Sequence, residues 1–104
     1  MSSRWKLKCR IRQGMFEGEY LAIIDVINEK GQRVEAAAFI DEREIALSRP
    51  LEKGGIGEGF VDVSIMGAAG ENASVVLPQP TLANGPIVVV DKSNLEPVGG
   101  VIRS

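Results

Sequence analysis

The sequence predicts an all-β protein: a small barrel or a compact β-sandwich of six to seven short antiparallel strands with at most one short helix. Three observations carry this prediction. Apolar residues recur at every second position through much of the chain, β-branched runs alternate with Gly-, Pro- and Asn-containing turns, and the turns are closely spaced. The chain has 104 residues, of which 44% are hydrophobic and 25% charged, so we expect one small β domain spanning residues 1–104.

The first predicted strand covers residues 4–12, where cations and apolar residues alternate without a break. Successive side chains of a strand point to opposite faces. One face would therefore carry Arg4, Lys6, Lys8, Arg10 and Arg12, and the other Trp5, Leu7, Cys9 and Ile11. We expect the apolar face to be buried.

The next two strands are expected to form a hairpin. Residues 19–28 are rich in β-branched and aromatic side chains, which favours a mostly buried strand. Residues 28–31, Asn-Glu-Lys-Gly, predict the connection, with Gly31 in the left-handed position of the turn. Residues 32–40 return as the partner strand, although their three alanines are weak strand formers.

The middle of the chain contains a predicted helix and a predicted loop. Asp41 followed by Glu44 matches a capping box, and residues 45–47 would complete one or two helical turns before Pro50. Residues 53–59 contain four glycines, which predicts a flexible loop because glycine gives little support to a regular element.

The remaining strands are expected at residues 60–66, 73–77, 87–90 and 95–98. The first two would form a hairpin joined across residues 67–72. Pro78 and Pro80 would end its second strand, because proline cannot donate a hydrogen bond to a strand ladder. No internal repeat is visible in the sequence.

Residues 60–98 run through a strand, a hairpin, a second strand, a loop, and then Val-Asp-Lys-Ser-Asn-Leu at residues 90–95. This order resembles the distal part of a Src-homology-3-like barrel, in which a strand leads into one tight helical turn and a short closing strand. The resemblance implies a small barrel. Peptide-binding members of that fold carry clustered aromatics and usually a tyrosine in the closing segment, whereas this chain has Leu95 there and only five aromatic residues.

The composition limits the cellular compartments in which we expect the protein and the catalytic or metal-binding roles open to it. The chain has no histidine, so the usual general base, metal ligand and pH-sensitive group are all missing. A single cysteine cannot form an internal disulfide, which favours a reducing compartment. Membrane helices need about 20 consecutive apolar residues and secretory signals need an apolar stretch near the N-terminus. The sequence has neither, so we expect a cytoplasmic protein without a membrane partner.

Several segments were candidates for catalytic or metal-binding chemistry. The glycines of residues 53–59 lack the spacing and the following helix of a phosphate-binding loop. The acids of residues 41–44 are better explained as a solvated helix start, where the helix dipole favours acids, and the oxygen ligands of residues 91–96 as a capped turn. Cys9 lies on the predicted apolar face, so we expect a core thiol. We therefore predict no enzyme, no cofactor and no metal site.

The basic face is the candidate binding surface: Arg4, Lys6, Lys8, Arg10 and Arg12. Residues 1–12 hold five cations and no acid, while the rest of the chain holds seven cations and fourteen acids. These cations could be a solvated face paired with acids such as Glu17, Glu19 or Glu35. They could also contact an acidic protein partner or nucleic-acid phosphates. We predict a module that binds a protein or a second copy of itself; the alternative is a nucleic-acid-binding barrel.

Overall fold

The computed structural model describes residues 4–83 and 85–97. This part of the chain forms eight strands and two single-turn 3-10 segments, so the predicted all-β class is confirmed. The strands are β1 (Arg4–Gln13), β2 (Glu19–Ile27), β3 (Arg33–Asp41), β4 (Ile45–Leu47), β5 (Ile56–Ala69), β6 (Asn72–Val76), β7 (Ile87–Asp91) and β8 (Leu95–Pro97). The 3-10 turns are η1 (Glu42–Glu44) and η2 (Lys92–Asn94).

All eight strands belong to one antiparallel sheet with the order β3-β2-β1-β5-β6-β7. The two shortest strands lie off this path, where β4 pairs with β5 and β8 pairs with β1. Strand β1 is central. It pairs with β5 from Arg4 to Arg12, and its other edge is shared between β8 and β2. The basic strand is therefore flanked on both sides.

The sheet curls into a half-barrel, so its two ends approach each other. The segment between β6 and β7 runs along the outer edge of β3. The Leu82 amide donates to the Ala37 carbonyl at 2.8 Å. Farther along the same edge, the Arg33 guanidinium lies 2.9 Å from the Asp91 carboxylate. These contacts cover part of the β3 edge, which would otherwise present unpaired backbone groups.

The core is formed by the inward-facing residues of the strands. In β1 these are Leu7, Cys9 and Ile11, as the alternation predicts, and Trp5 is half-buried against them. The largest fully buried side chains come from β1, β2, β3, β5, β6 and β7: Leu7, Ile11, Ile24, Ile40, Val61, Val75 and Val90. Because every long strand contributes to it, this single apolar cluster explains the stability of the curled sheet.

The strand pairing divides the chain into two equivalent halves. The first half is β1–β4 (residues 4–47) and the second is β5–β8 (residues 56–97). Leu7 of β1 is flanked by Val61 of β5 and Leu95 of β8, and Val61 is flanked by Leu7 and Ile45 of β4. An approximate two-fold axis therefore passes through the Leu7–Val61 pair. The last strand of each half, β4 or β8, pairs with the first strand of the other half.

The predicted helix after Asp41 is only partly correct. A single 3-10 turn forms at η1, where the Asp41 side chain accepts a hydrogen bond from the Arg43 amide. Ile45 then returns to extended backbone with φ −117° and ψ 135°, and β4 pairs with β5. Tertiary pairing with β5 outweighs the local helix signal here, as propensities allow.

The prediction of a flexible loop at residues 53–59 is wrong for residues 56–59. Residues 56–59 are the start of β5 and pair with β1. Gly59 is buried, and a side chain there would place its Cβ 2.7 Å from the Ala46 carbonyl oxygen. The glycine is thus required by the close approach of β4, which an isolated sequence does not reveal. Of the predicted closing strand, Leu95–Pro97 is β8, and Val98 lies outside the described residues.

Candidate functional site

The structure places all five predicted site residues on one face of β1. Arg4, Lys8 and Arg12 are exposed, whereas Lys6 and Arg10 are half-buried. This face is turned away from the core, because Leu7, Cys9 and Ile11 occupy the other. The geometry of the predicted basic face therefore forms as expected from the alternation.

Two of these arginines are engaged in ion pairs. The Arg4 guanidinium lies 3.0 Å from the Asp62 carboxylate of β5. The Arg10 guanidinium lies 3.0 Å from Asp25 of β2 and 2.9 Å from Glu35 of β3. Exposed pairs of this kind typically contribute about 0.2–1 kcal/mol each. These arginines are therefore less available to an external anion than their exposure suggests.

The other three cations make no ion pair within 4 Å in the part of the chain that the structure describes. Lys6 still lies opposite two acids in the sheet register, Asp62 on one side and Glu96 on the other. Lys8 lies opposite Phe60 of β5, and Arg12 lies between apolar residues of β2 and β5. Of these three cations, Lys8 and Arg12 thus lie opposite no acid among the described residues of the sheet.

Acids on neighbouring strands balance the basic face. In this sheet, residues directly opposite each other share a face, and the acids that share it in the middle of the sheet are Asp25, Glu35, Glu58, Asp62 and Glu96. Five cations among five acids generate little long-range positive potential. Of the acids predicted from sequence as partners, Glu35 does pair; Asp25 and Asp62 were missed because identifying them requires the strand order.

Two open clefts border this face. The larger, of about 580 Å³, lies between the 48–55 segment and the start of β5, and its charged lining is Arg10, Arg49, Glu52 and Glu58. A smaller one of about 260 Å³ is lined by Lys8 and Arg10 together with Asp25 and Glu58. Each cleft carries two cations and two acids, so neither favours an anion through its charge.

Cys9 lacks the environment of a reactive thiol. It is buried, and its Sγ lies 3.8 Å from the Gly59 carbonyl oxygen. Burial raises its pKa to about 12, and the charge of Arg10 opposes that rise only in part. The thiol is therefore protonated at neutral pH, which matches the predicted core role.

The two acidic segments are built as structural turns. The Arg43 side chain and amide hydrogen-bond Asp41 and lower the pKa of its carboxyl group. The Ser93 amide, with help from Arg33, lowers the pKa of Asp91 in the same way. Across residues 4–83 and 85–97, no group of three or more His, Cys, Asp or Glu side chains is arranged to hold a metal ion.

A second candidate site was missed from sequence. Met15 and Phe16 lie in the turn between β1 and β2, where they are 77% and 70% exposed. They are the most exposed large hydrophobic side chains among the described residues. We call this pair the apolar tip. The available signal was two adjacent large apolar residues between Gly14 and Gly18, in a short connecting segment where small or polar residues are expected.

The equivalent turn in the second half shows that the fold does not need these side chains. There β5 and β6 are joined by a tight turn through Gly70 and Glu71, with no large apolar residue. The turn that carries the apolar tip is also well fixed. The Gly14 amide donates to the Glu19 carbonyl at 2.9 Å, and the Glu42 amide donates to the Gly18 carbonyl at 2.9 Å.

No family model, curated protein or solved structure matches this chain. Among the described residues, no helix has the length and apolar character needed to cross a membrane.

Proposed function

We propose that this protein is a non-catalytic β module that binds a protein partner or a second copy of itself through the apolar tip. The observation that carries this proposal is the difference between the two equivalent turns. Met15 and Phe16 are exposed on a turn that the fold builds elsewhere with Gly70 and Glu71 alone. Exposed apolar side chains without a structural role are a common mark of contact surfaces.

The energetics of the tip suit such a contact. Burial of a Met or Phe side chain contributes roughly 1.5–3 kcal/mol. The fixed backbone of the turn reduces the ordering cost on binding, because its hydrogen bonds to Glu19 and Glu42 already hold it in place. Ile56, which lies opposite Arg12 near the end of β1, is a further exposed apolar side chain, at 59%.

The absence of a catalytic role is also a proposal. The chain contains no histidine, and its one thiol is protonated at neutral pH because burial raises the pKa of Cys9 to about 12. The carboxylates of Asp41 and Asp91 are used to cap turns. Among the described residues with a shifted pKa, none is therefore a nucleophile paired with a general base.

The nucleic-acid alternative stays a prediction, and the charge distribution weighs against it. Phosphate-binding surfaces need unopposed cations. Arg4 and Arg10 are already paired, and Lys6 lies between two acids. Lys8 and Arg12 are the cations that such a contact would use.

Three narrower expectations also remain proposals. The order of β7, η2 and β8 supports a Src-homology-3-like arrangement, although the same strand–turn–strand order occurs at β3, η1 and β4. The continuous core supports a single domain. The lone, buried cysteine supports a cytoplasmic location.

Sedimentation velocity of the purified chain over a wide concentration range tests the proposed self-association. The double variant Met15→Ser/Phe16→Ser should weaken association by about tenfold or more, since two buried side chains are lost from the contact. Met66→Ser is the matched control, because Met66 is 61% exposed on β5 in the other half. This control should associate like the unmodified chain.

A separate measurement tests a different protein as the partner. A photo-crosslinking amino acid at position 16 should give a discrete adduct in cells, while the same group at position 66 should not. If the chain stays monomeric at high concentration, the apolar tip does not bind a second copy. If no adduct specific to position 16 forms either, the apolar tip does not bind a different protein.

A further inference from the structure

We propose that a second copy of this chain can exchange halves with the first, giving a dimer in which β1–β4 of each copy pair with β5–β8 of the other. The surface used is the seam between the halves, formed by the pairings β1–β5, β4–β5 and β1–β8. This proposal does not rest on the apolar tip, which lies outside the seam. Exchange of identical elements is a low-cost route to a dimer.

Most of the strand pairing between the two halves lies in the seam. It includes β1 from Arg4 to Arg12 against β5, and both short strands. Leu7 and Val61, both fully buried, face each other at its centre. An exchanged dimer reproduces all these contacts, so its free energy differs from that of two monomers only at the linker and by the cost of association.

The charges of the two halves determine which half can pair with which across the seam. One ion pair crosses it, Arg4–Asp62, and a second pair, Arg33–Asp91, joins the two halves at the other ends of the sheet. Between residues 56 and 97 the only cation is Lys92, and the acids are Glu58, Asp62, Glu71, Asp91 and Glu96. Pairing β5 with another β5 would bring acids together. A first half therefore selects a second half, which favours reciprocal exchange over pairing of like halves.

The linker, residues 48–55, is the hinge that the exchange would open. It closes the β4–β5 hairpin through two backbone hydrogen bonds, from the Ser48 amide to the Glu58 carbonyl at 3.1 Å and from the Gly55 amide to the Glu52 carbonyl at 2.9 Å. Gly54 has φ +74°, a value that other residues adopt at a cost. Opening the hinge thus breaks two hydrogen bonds and frees Gly54 from its left-handed backbone conformation.

Shortening the hinge is the direct test. Deletion of residues 50–55 would join Arg49 to Ile56. The deletion leaves five residues between the paired Leu47 and Gly59, and three of them, residues 56–58, are held extended by pairing with β1. A hairpin needs at least two turn residues, so β4 can pair with β5 of its own chain only if the end of the β1–β5 pairing opens. The exchanged dimer keeps that pairing, because the hinge then runs straight into β5. The dimerisation constant should rise by about tenfold or more over the unmodified chain.

A disulfide reports which chains are paired. Lys8 and Phe60 face each other across the seam, and the Cα separation of directly opposed residues suits a disulfide. In a Cys9→Ala background, Lys8→Cys/Phe60→Cys should oxidise within one chain in the monomer and between two chains in the exchanged dimer. A non-reducing denaturing gel separates the two results.

The expected result is an interchain disulfide in the deletion variant. Gly54→Val keeps the hinge length but disfavours its closed turn, so it should give a smaller rise in dimer. A deletion variant that is monomeric, or dimeric with intrachain disulfides, overturns the proposal. If the deletion variant does not fold, an absence of interchain disulfide in both Gly54→Val and the unmodified chain refolded at high concentration overturns it. Met15→Ser/Phe16→Ser should leave the exchange unchanged.

Discussion

The two halves of this protein share a topology but differ sharply in charge. Both run through three antiparallel strands, a 3-10 turn opened by an aspartate, and a short strand that pairs with the other half. Residues 4–47 carry eight cations and eight acids, whereas residues 56–97 carry one cation and five acids. The shared features are therefore the inward apolar positions and the turn-capping aspartates, and the outward charges vary freely.

This difference assigns a role to the basic strand. The first half meets the second through β1, and the second half carries a net excess of acids. Arg4 pairs with Asp62, and Lys6 lies between Asp62 and Glu96. Both of these acids belong to the second half. The alternating cations of β1 thus complement the acidic half across the seam, which leaves the apolar tip as the better surface for an outside partner.

The largest expected effect comes from the centre of the seam. Leu7→Ala should lower the free energy of unfolding by about 2–5 kcal/mol, because it removes a fully buried side chain that touches both halves. Urea denaturation followed by circular dichroism measures this loss. Lys8→Ala, one residue along and exposed, should change stability by less than about 0.5 kcal/mol. Similar losses at both positions would show that the seam is not centred on Leu7.

A smaller effect is expected at a position where the halves differ. Gly59 is equivalent to Trp5, but an added Cβ at Gly59 would lie 2.7 Å from the Ala46 carbonyl oxygen and 3.0 Å from Ile11. Gly59→Ala should therefore destabilise the fold by about 1–3 kcal/mol, as measured by thermal unfolding. Gly67→Ala is the matched control, since nothing lies within 4 Å of its added Cβ. A neutral Gly59→Ala would mean that β4 lies farther from β5.

The smallest effect is expected for the ion pair that crosses the seam. A double-mutant cycle with Arg4→Ala and Asp62→Ala should give a coupling of about 0.2–1 kcal/mol at low salt. The coupling should shrink near 1 M salt, where screening acts within about 3 Å. The same cycle on Arg10 and Glu35, which pair within the first half, is the comparison. A coupling of zero for Arg4 and Asp62 at low salt would show that their charges do not help to hold the two halves together.

Sequence patterns predicted the parts of this fold that local chemistry determines. The alternation of residues 4–12 identified β1 and the burial of Leu7, Cys9 and Ile11. The Asn-Glu-Lys-Gly turn placed Gly31 at φ +78°. The segment after Val90 gave the predicted turn, capped by Asp91. In each case the residues involved are close in sequence.

The missed features depend on distant contacts. The start of β5 was mistaken for a loop because its Gly59 accommodates β4, which lies nearby only after folding. The partnership of Arg4 with Asp62 depends on pairing across 58 positions. The two halves went unrecognised because the equivalent residues, such as Leu7 and Val61 or Trp5 and Gly59, share a place in the sheet and not an identity.

A circular permutant tests most directly the claim that the two halves are equivalent and joined across a two-fold seam. Trp5 lies opposite Pro97, just as Leu47 lies opposite Gly59, so both junctions are hairpin-like. The new chain would join residue 104 to residue 1 and begin at Lys53. We predict a cooperative unfolding transition within about 1 kcal/mol of the original, because one closing loop replaces another of similar length. A permutant that is unfolded, or much less stable than this, would contradict the equivalence of the halves.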